Sequence, residues 1–359
     1  TVIHHNLGLD LGFFDNRLNL SADLFIRDTK DMLVPGKMLP GVYGATPPKE
    51  NAADLRTKGF ELAVSWYDQF NLGNKPFSYN LSFGLSDSKS VITKFDNPMK
   101  EFAKSSYYEG MTIGEIWGYK IDGLFQTDEE AAYAKAVDNS YVCENIFVTA
   151  VGDYKGLQAG DPRYVDIDGS GRIDDGEKTA DNRGDMVIIG NKEPRYLYNA
   201  NIGLSWNGID ISAFFQGVGR QHRYPDGNNM MFWGGFARPY SSFVPANFLD
   251  NVWSEENPDA YLPKIRGYAA QGNRSLAHKN DRYLQNIAYC RLKNLTVGYT
   301  LPTEWTSKIK LDRLRVYFSG DNLFTWTKLK SDYIDPEQIT VNSDARTYPF
   351  SKVFSFGLD

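Results

Sequence analysis

Apolar and polar residues alternate with period two in several separate stretches of the chain. Leu18, Leu20, Ala22, Leu24 and Ile26 alternate with Asn19, Ser21, Asp23, Phe25 and Arg27. Phe60, Leu62, Val64 and Trp66 alternate with Glu61, Ala63 and Ser65. Tyr79, Leu81, Phe83 and Leu85 alternate with Ser78, Asn80, Ser82, Gly84 and Ser86, and the same rhythm runs from Tyr198 to Trp206. Successive strand side chains point to opposite faces, so each stretch predicts a strand with one apolar and one polar face. Nine strands are expected, at about 5–14, 17–27, 58–68, 77–87, 195–206, 209–217, 286–301, 312–325 and 350–359.

The connections between these strands alternate in length. Asn207-Gly208 is the residue pair of a two-residue hairpin, whose central positions both need positive φ. Asp15-Asn16, residues 70–75 and residues 302–310 make the other short joins. The remaining connections are long, at about 28–57, 88–194, 218–285 and 326–349. A soluble antiparallel sheet with one face on a core would show the same period-two pattern, but it has no reason to alternate its loops. An outer-membrane barrel does, with tight periplasmic turns and long extracellular loops. The fold class expected is therefore all-β, a partial antiparallel transmembrane β-barrel. Bacterial single-chain barrels have an even strand count, and an open edge in lipid leaves backbone groups unpaired. Nine strands thus imply further strands preceding residue 1. No basic segment followed by an apolar one is visible at the N-terminus, where residues 1–14 already read as a strand.

Composition narrows the function. The 359 residues hold 39 Lys+Arg against 45 Asp+Glu, a net charge of −6 spread along the chain, which disfavours a nucleic-acid groove. No stretch approaches the roughly 18 apolar residues of a membrane helix, which leaves a barrel untouched. Aromatics make up 14%, and Trp66, Tyr67, Trp206 and Trp326 fall near strand ends, where amphipathic rings suit the lipid headgroup level. Cys143 and Cys290 fit no zinc spacing, and their oxidation state is open. His4, His5, His222 and His278 suggest no metal pair or catalytic base. No nucleophile elbow, phosphate loop or dinucleotide fingerprint occurs, so an enzyme is not expected.

Four segments in order then carry a resemblance. They are MTIGEIWGYKIDGLFQT at 111–127, GDPRYVDIDGSGRI at 160–173, CRLKNLTVGYTLP at 290–302 and LRVYFSGDNLFTWTK at 314–328, followed by Asp335-Pro336-Glu337. Together they resemble the C-terminal half of SusC/RagA-type TonB-dependent outer-membrane transporters. The resemblance implies the last nine or so strands of a roughly 22-strand plugged barrel, with the plug and the early strands outside residues 1–359. Family members usually run a few residues past the FSFGL that precedes Asp359. It also implies a Gram-negative outer-membrane setting, a SusD-like surface lipoprotein as lid, TonB as energy source acting through the N-terminal part, and a glycan or oligopeptide as substrate. Asn80, Asn199, Asn201, Glu61 and Arg27 would then line the lumen or meet the plug. The competing reading is a soluble, calcium-stabilised β-sheet protein that binds carbohydrate at a cell surface.

One segment has local chemistry of its own. In residues 166–177, Asp166, Asp168, Ser170, Arg172, Asp174 and Glu177 fall at positions 1, 3, 5, 7, 9 and 12 of a calcium loop, with Gly171 at 6 and Ile173 at 8. The Arg172 contribution would be its backbone carbonyl. The flanks read as extended rather than helical, so calcium is expected without a paired EF-hand. An Asp/Gly-rich turn held by its own side-chain hydrogen bonds is the alternative. Thr127 to Glu130 reads as a capping box on a short helix, and residues 245–253 could form another. Phe232, Trp233, Phe236, Arg238 and Tyr240 form an aromatic patch in a long loop, placed to touch substrate or lid or else to pack within the loop.

Overall fold

The computed structural model describes residues 1–35, 44, 48–102, 107–133, 157–242, 244–272, 274–331, 333–339, 347, 348 and 350–359. The wall begins with β1 (Val2–Phe13), β2 (Leu18–Pro35), β3 (Lys49–Leu72) and β4 (Lys75–Phe95). Short strands follow in the first great loop: β5 (Glu115–Gly118), β6 (Ile121–Leu124), β7 (Pro162–Tyr164) and β8 (Val187–Asn191). The wall resumes with β9 (Arg195–Trp206) and β10 (Ile209–Arg220). After β11 (His222–Arg223) and β12 (Gln285–Asn286), it ends with β13 (Tyr289–Thr300), β14 (Arg315–Thr327) and β15 (Val353–Leu358). The nine long strands form one antiparallel sheet in the order β1-β2-β3-β4-β9-β10-β13-β14-β15. All nine expected strands are present. Among the described residues no helix is long and apolar enough to cross a membrane.

The register turns the period-two pattern into continuous rows across the sheet. Leu11, Leu20, Val64, Phe83, Ala200, Phe215, Leu292 and Phe324 are successive cross-strand neighbours, an apolar row. One step along, Gly12, Asn19, Ser65, Ser82, Asn201, Phe214, Asn294 and Asp321 make a mainly polar row. Both rows survive the bulges at Phe214/Phe215 and Leu292/Asn294. The polar set bounds broad hollows on the concave face, where Ser21, Asp23, Glu61, Ser86, Asn199 and Gln216 meet. Outward apolar side chains remain bare: Leu24 is 59% exposed and Phe356 82%. A contiguous apolar face of this extent needs a nonpolar surround, which excludes the soluble carbohydrate-binding alternative.

Aromatic rings gather at the hairpin end. Trp66 donates from Nε1 to the Tyr79 hydroxyl at 3.0 Å, and Trp206 Nε1 donates to the Leu72 carbonyl at 3.1 Å. Phe70, Phe77 and Tyr79 pack beside them, Phe70 edge-on to Tyr79 and the other two pairs tilted. Tyr67 shares the parity of the polar set, so it belongs to the inner face rather than to this girdle. At the opposite end, polar pairs mark where the apolar band stops. Arg56 grips Asp28 with bonds of 2.7 and 2.9 Å, Lys30 reaches Asp54 at 2.9 Å, and Arg195 holds Asp87. Beyond these pairs β2, β3 and β4 continue as a ribbon. The connections expected at 28–57 and from 88 are therefore partly strand, because backbone pairing persists after side-chain alternation ends.

Asn207 and Gly208, at φ 48° and 84°, close the β9–β10 hairpin as their sequence requires. A β-carbon on Gly208 would meet the Thr300 carbonyl oxygen at 2.6 Å. Gly208→Ala is therefore expected to cost about 1–2 kcal/mol, from left-handed strain plus crowding. Urea midpoints of the folded barrel in detergent check this, and an unchanged midpoint would contradict the turn assignment.

The long loops fold together. Tyr119, Ile121, Tyr164 and Ile173 from the first pack with Phe232, Trp233, Phe236, Leu276, Tyr283 and Ile287 from the second. Leu329, Ile334 and Ile339 from the third complete the same core. Long-range bonds tie the layers: Ile121 N–H donates to Asp281 at 2.9 Å, and Arg266 holds the buried Asp161 with two bonds of 2.7 Å. The result is a cap standing on one end of the sheet.

Candidate functional site

The acidic loop lies in this cap. Ile173 is fully buried in the cap core, as its anchoring position requires. Asp166 turns the chain on itself, accepting from Gly169 N–H at 2.8 Å and Gly171 N–H at 2.9 Å. Asp168 accepts from Ser170 N–H at 2.9 Å, and the Ser170 hydroxyl together with that N–H holds its carboxyl below the usual carboxylate range. The third carboxylate beside them belongs to Asp185, and the three lie within 4.8 Å of one another. Asp185 is fully buried, and its oxygens accept from the Ile167 and Asp174 N–H groups at 2.6 and 2.9 Å. Burial pushes its carboxyl up, with the Asp168 charge adding to the same effect.

This differs from the twelve-residue frame. Ser170 spends its Oγ on the Arg172 carbonyl at 2.9 Å, the oxygen expected to face a cation. Asp174 caps Gly176 N–H at 2.8 Å, and Glu177 is exposed; neither joins the carboxylate group. In an EF-hand an exiting helix swings position 12 back toward the loop. Here a tight turn, with Gly176 and Gly184 both at φ 54°, brings Asp185 back instead. Asp185 lies outside the frame, and its only sequence signal is an acidic residue two positions before the β8 stretch. Asp166, Asp168 and Asp185 offer hard oxygens with no cationic side chain on Asp185 among the described residues. That donor set fits a small divalent cation.

The aromatic patch is placed differently from a contact surface. Trp233 is 0% exposed, Phe236 is equally buried and Phe232 nearly so. Trp233 packs on Phe232 at 4.7 Å and on Tyr283 at 5.5 Å, while its Nε1 donates to the Pro225 carbonyl. These three rings build the cap core, which corrects their reading as substrate or lid contacts. Arg238 and Tyr240 stay on the surface: Tyr240 is 87% exposed, and Arg238 donates to Asn228 Oδ1 at 3.1 Å. Half of the capping box is formed: Glu130 N–H sits on Thr127 Oγ1 at 3.1 Å at the start of a helix over Asp128–Tyr133, while the Glu130 carboxylate accepts from Gln126 N–H at 2.7 Å. The helix expected in 245–253 is a short 3-10 segment, Phe248–Asn251. Cys143 falls outside the described residues, and Cys290 is a free thiol on β13.

A second polar centre joins wall to cap. Arg291, on β13, is 1% exposed and reaches Asp335, Glu337 at 3.0 Å and Thr325 Oγ1 at 2.9 Å. Lys293 also holds Glu337, at 2.8 Å, and both cations lie 5.0 Å over the Phe350 ring. The RLKN and Asp335-Pro336-Glu337 segments are thus two halves of one clasp, a partnership their separation conceals in the sequence.

Comparison with known proteins agrees with this architecture. The family model described as TonB dependent receptor-like, beta-barrel matches residues 1–323. TonB-dependent receptor P3 of Formosa agariphila is 28% identical across 99% of this chain and 33% of its own length. TonB-dependent receptor SusC of Bacteroides thetaiotaomicron is 24% identical across 98% of this chain and 31% of its own. Among solved structures, the RagAB peptide importer in its open-open state superposes with a TM-score of 0.66 at 20% identity. That match covers 99% of this chain and 34% of the other. The chain thus spans about a third of the relatives it matches. Sheet order, alternating faces and the match along nearly the whole sequence lead to one assignment: the chain belongs to the TonB-dependent receptor-like β-barrel family, on its SusC/RagA-type branch.

Proposed function

We propose that this chain forms wall and extracellular cap of a Gram-negative outer-membrane transporter. It takes up a glycan or oligopeptide, driven by TonB, beneath a SusD-like lipoprotein. The observation that carries this reading is the nine-strand sheet itself, whose outward rows are apolar and whose inner rows are polar, continuing upward into a folded cap. The RagAB relative, described as a peptide importer, favours an oligopeptide, and the SusC-named relative keeps glycans in view. The chain's own part is to wall off lipid, present a polar inner surface and hold the cap in one shape. Tyr240 and Arg238, exposed on the cap, are the surviving contacts of the aromatic patch for lid or cargo. Uptake of labelled oligosaccharides and oligopeptides, in cells with and without the complete transporter, tests the proposal. Uptake lost on deletion and on collapse of the proton gradient is expected; unchanged uptake of every probe would reject it.

Calcium in the cap belongs to the same proposal. Asp166, Asp168 and Asp185 would hold it, with water completing the oxygen shell, and the ion would offset three crowded carboxylates and brace the 166–185 segment. Titration calorimetry on the complete protein is expected to show calcium heat in the wild type and at least tenfold weaker binding in Asp166→Asn/Asp185→Asn. Equal heats would remove the metal.

A further inference from the structure

Beside the acidic loop the cap carries a cleft with the opposite charge. Lys192, Arg223, Lys279, Tyr224, Asp226 and Asn228 line a hollow of about 580 Å³. It continues into a second of about 500 Å³ through the shared residues Ile116, Lys192, Ala277 and Lys279. Together they have the size of a site for a short oligomer rather than a single small ion.

The charges in the first hollow do not cancel. Lys192 and Arg223 face it against one carboxylate, Asp226, whose Oδ1 already accepts Asn228 N–H at 2.9 Å. In the second, Asp175 pairs with Lys178 at 3.0 Å, and Glu115 accepts from Tyr108 and from Thr112 N–H. Arg223 is half-buried on β11 and Lys192 exposed at its rim; neither side chain has a hydrogen-bond or ion-pair partner among the described residues. The chain brings them together by design of the backbone: Arg223 pairs with Gln285, and the neighbouring Gln221 side chain donates to the Lys192 carbonyl at 2.9 Å. Arg238 extends the same edge, since its guanidinium meets Asn228 Oδ1. Burial, with the Arg220 charge second, holds the neighbouring His222 below its ordinary value. A half-buried guanidinium without a carboxylate, in a chain of net charge −6, is a costly arrangement unless a ligand supplies the anion.

We propose that this cleft binds a carboxylate group of the imported oligomer, with Arg223 as the bidentate partner and Lys192 as the second charge. The inference rests on the transport reading and specifies the substrate class for it. Two sources share this chemistry, a uronate-containing oligosaccharide and a peptide with a free C-terminus, and the experiment separates them.

The test measures binding to the complete transporter purified in detergent. The probes are fluorescent oligogalacturonate and its methyl-esterified form, and a labelled peptide acid and its C-terminal amide. In at least one pair the charged probe is expected to bind tenfold or more tightly than its neutral form, weakening as salt rises. Arg223→Ala/Lys192→Ala is expected to abolish that preference. Arg223→Lys, which keeps the charge, should retain part of it, and Asp226→Asn should tighten binding a few-fold. Equal binding of charged and neutral probes in both pairs, or a preference that survives the double variant while the protein keeps its wild-type melting profile, overturns the proposal. If uptake persists while charge preference is absent, the transport reading stands and only the carboxylate site falls.

Discussion

Arg291→Ala is expected to cost about 3–5 kcal/mol of stability, the range found when one partner of a buried ion cluster is removed. The guanidinium is 1% exposed and faces Asp335, Glu337 and Thr325 Oγ1. Its loss leaves the half-buried Asp335 without a counter-charge, while Glu337 keeps only Lys293. The damage should not stay local, because the clasp is where the last loop grips the wall. Leu329, Ile334 and Ile339 enter the cap core from that same loop. Urea titration of the detergent-folded protein gives the magnitude. Arg291→Lys should recover only part, since an ammonium cannot reproduce the fork. A double variant, Arg291→Ala/Asp335→Ala, should lose less than the two single changes summed. A loss below about 1 kcal/mol for Arg291→Ala would place the pair among ordinary surface bridges.

Trp233→Ala is the second large effect, expected to cost about 3–5 kcal/mol through transfer and cavity terms. Trp233 is fully buried between Phe232, Tyr283 and Tyr224, in a core to which all three loops contribute. Its removal should open the cap and leave the sheet standing. Limited proteolysis is expected to cut within residues 221–285, beyond the end of β10, while the heat-dependent gel shift of the folded barrel persists. Wild-type protease resistance would contradict a jointly folded cap. Loss of the gel shift would show that cap and wall unfold as one unit.

The wall was legible because its information is local. Alternation in Leu18 to Ile26 assigns both faces of β2, and Asn207-Gly208 declares a hairpin without reference to any other residue. The cap was less legible because its contacts are set by folding over long distances. Phe232, Trp233 and Phe236 look the same in sequence whether they face water or pack on Tyr283, more than forty positions away. Asp185 escaped the twelve-residue frame because the chain returns through a turn at Gly184 rather than a helix. Arg291 and Asp335 each sat in a recognisable motif, yet nothing local joins them. Arg223 carries no motif; only the cleft around it distinguishes it from other arginines.

The central claim is that one sheet face meets lipid and the other an aqueous or protein interior. Spin labels placed one at a time along β2, at Leu20, Leu24, Ser21 and Asp23, test it most directly in outer-membrane preparations of the complete protein, with Cys143 and Cys290 replaced by serine. Period-two behaviour is expected: labels at Leu20 and Leu24 relaxed by oxygen dissolved in lipid, and labels at Ser21 and Asp23 shielded from it. Uniform accessibility along the strand, or full recovery of the protein in buffer without detergent, would contradict it.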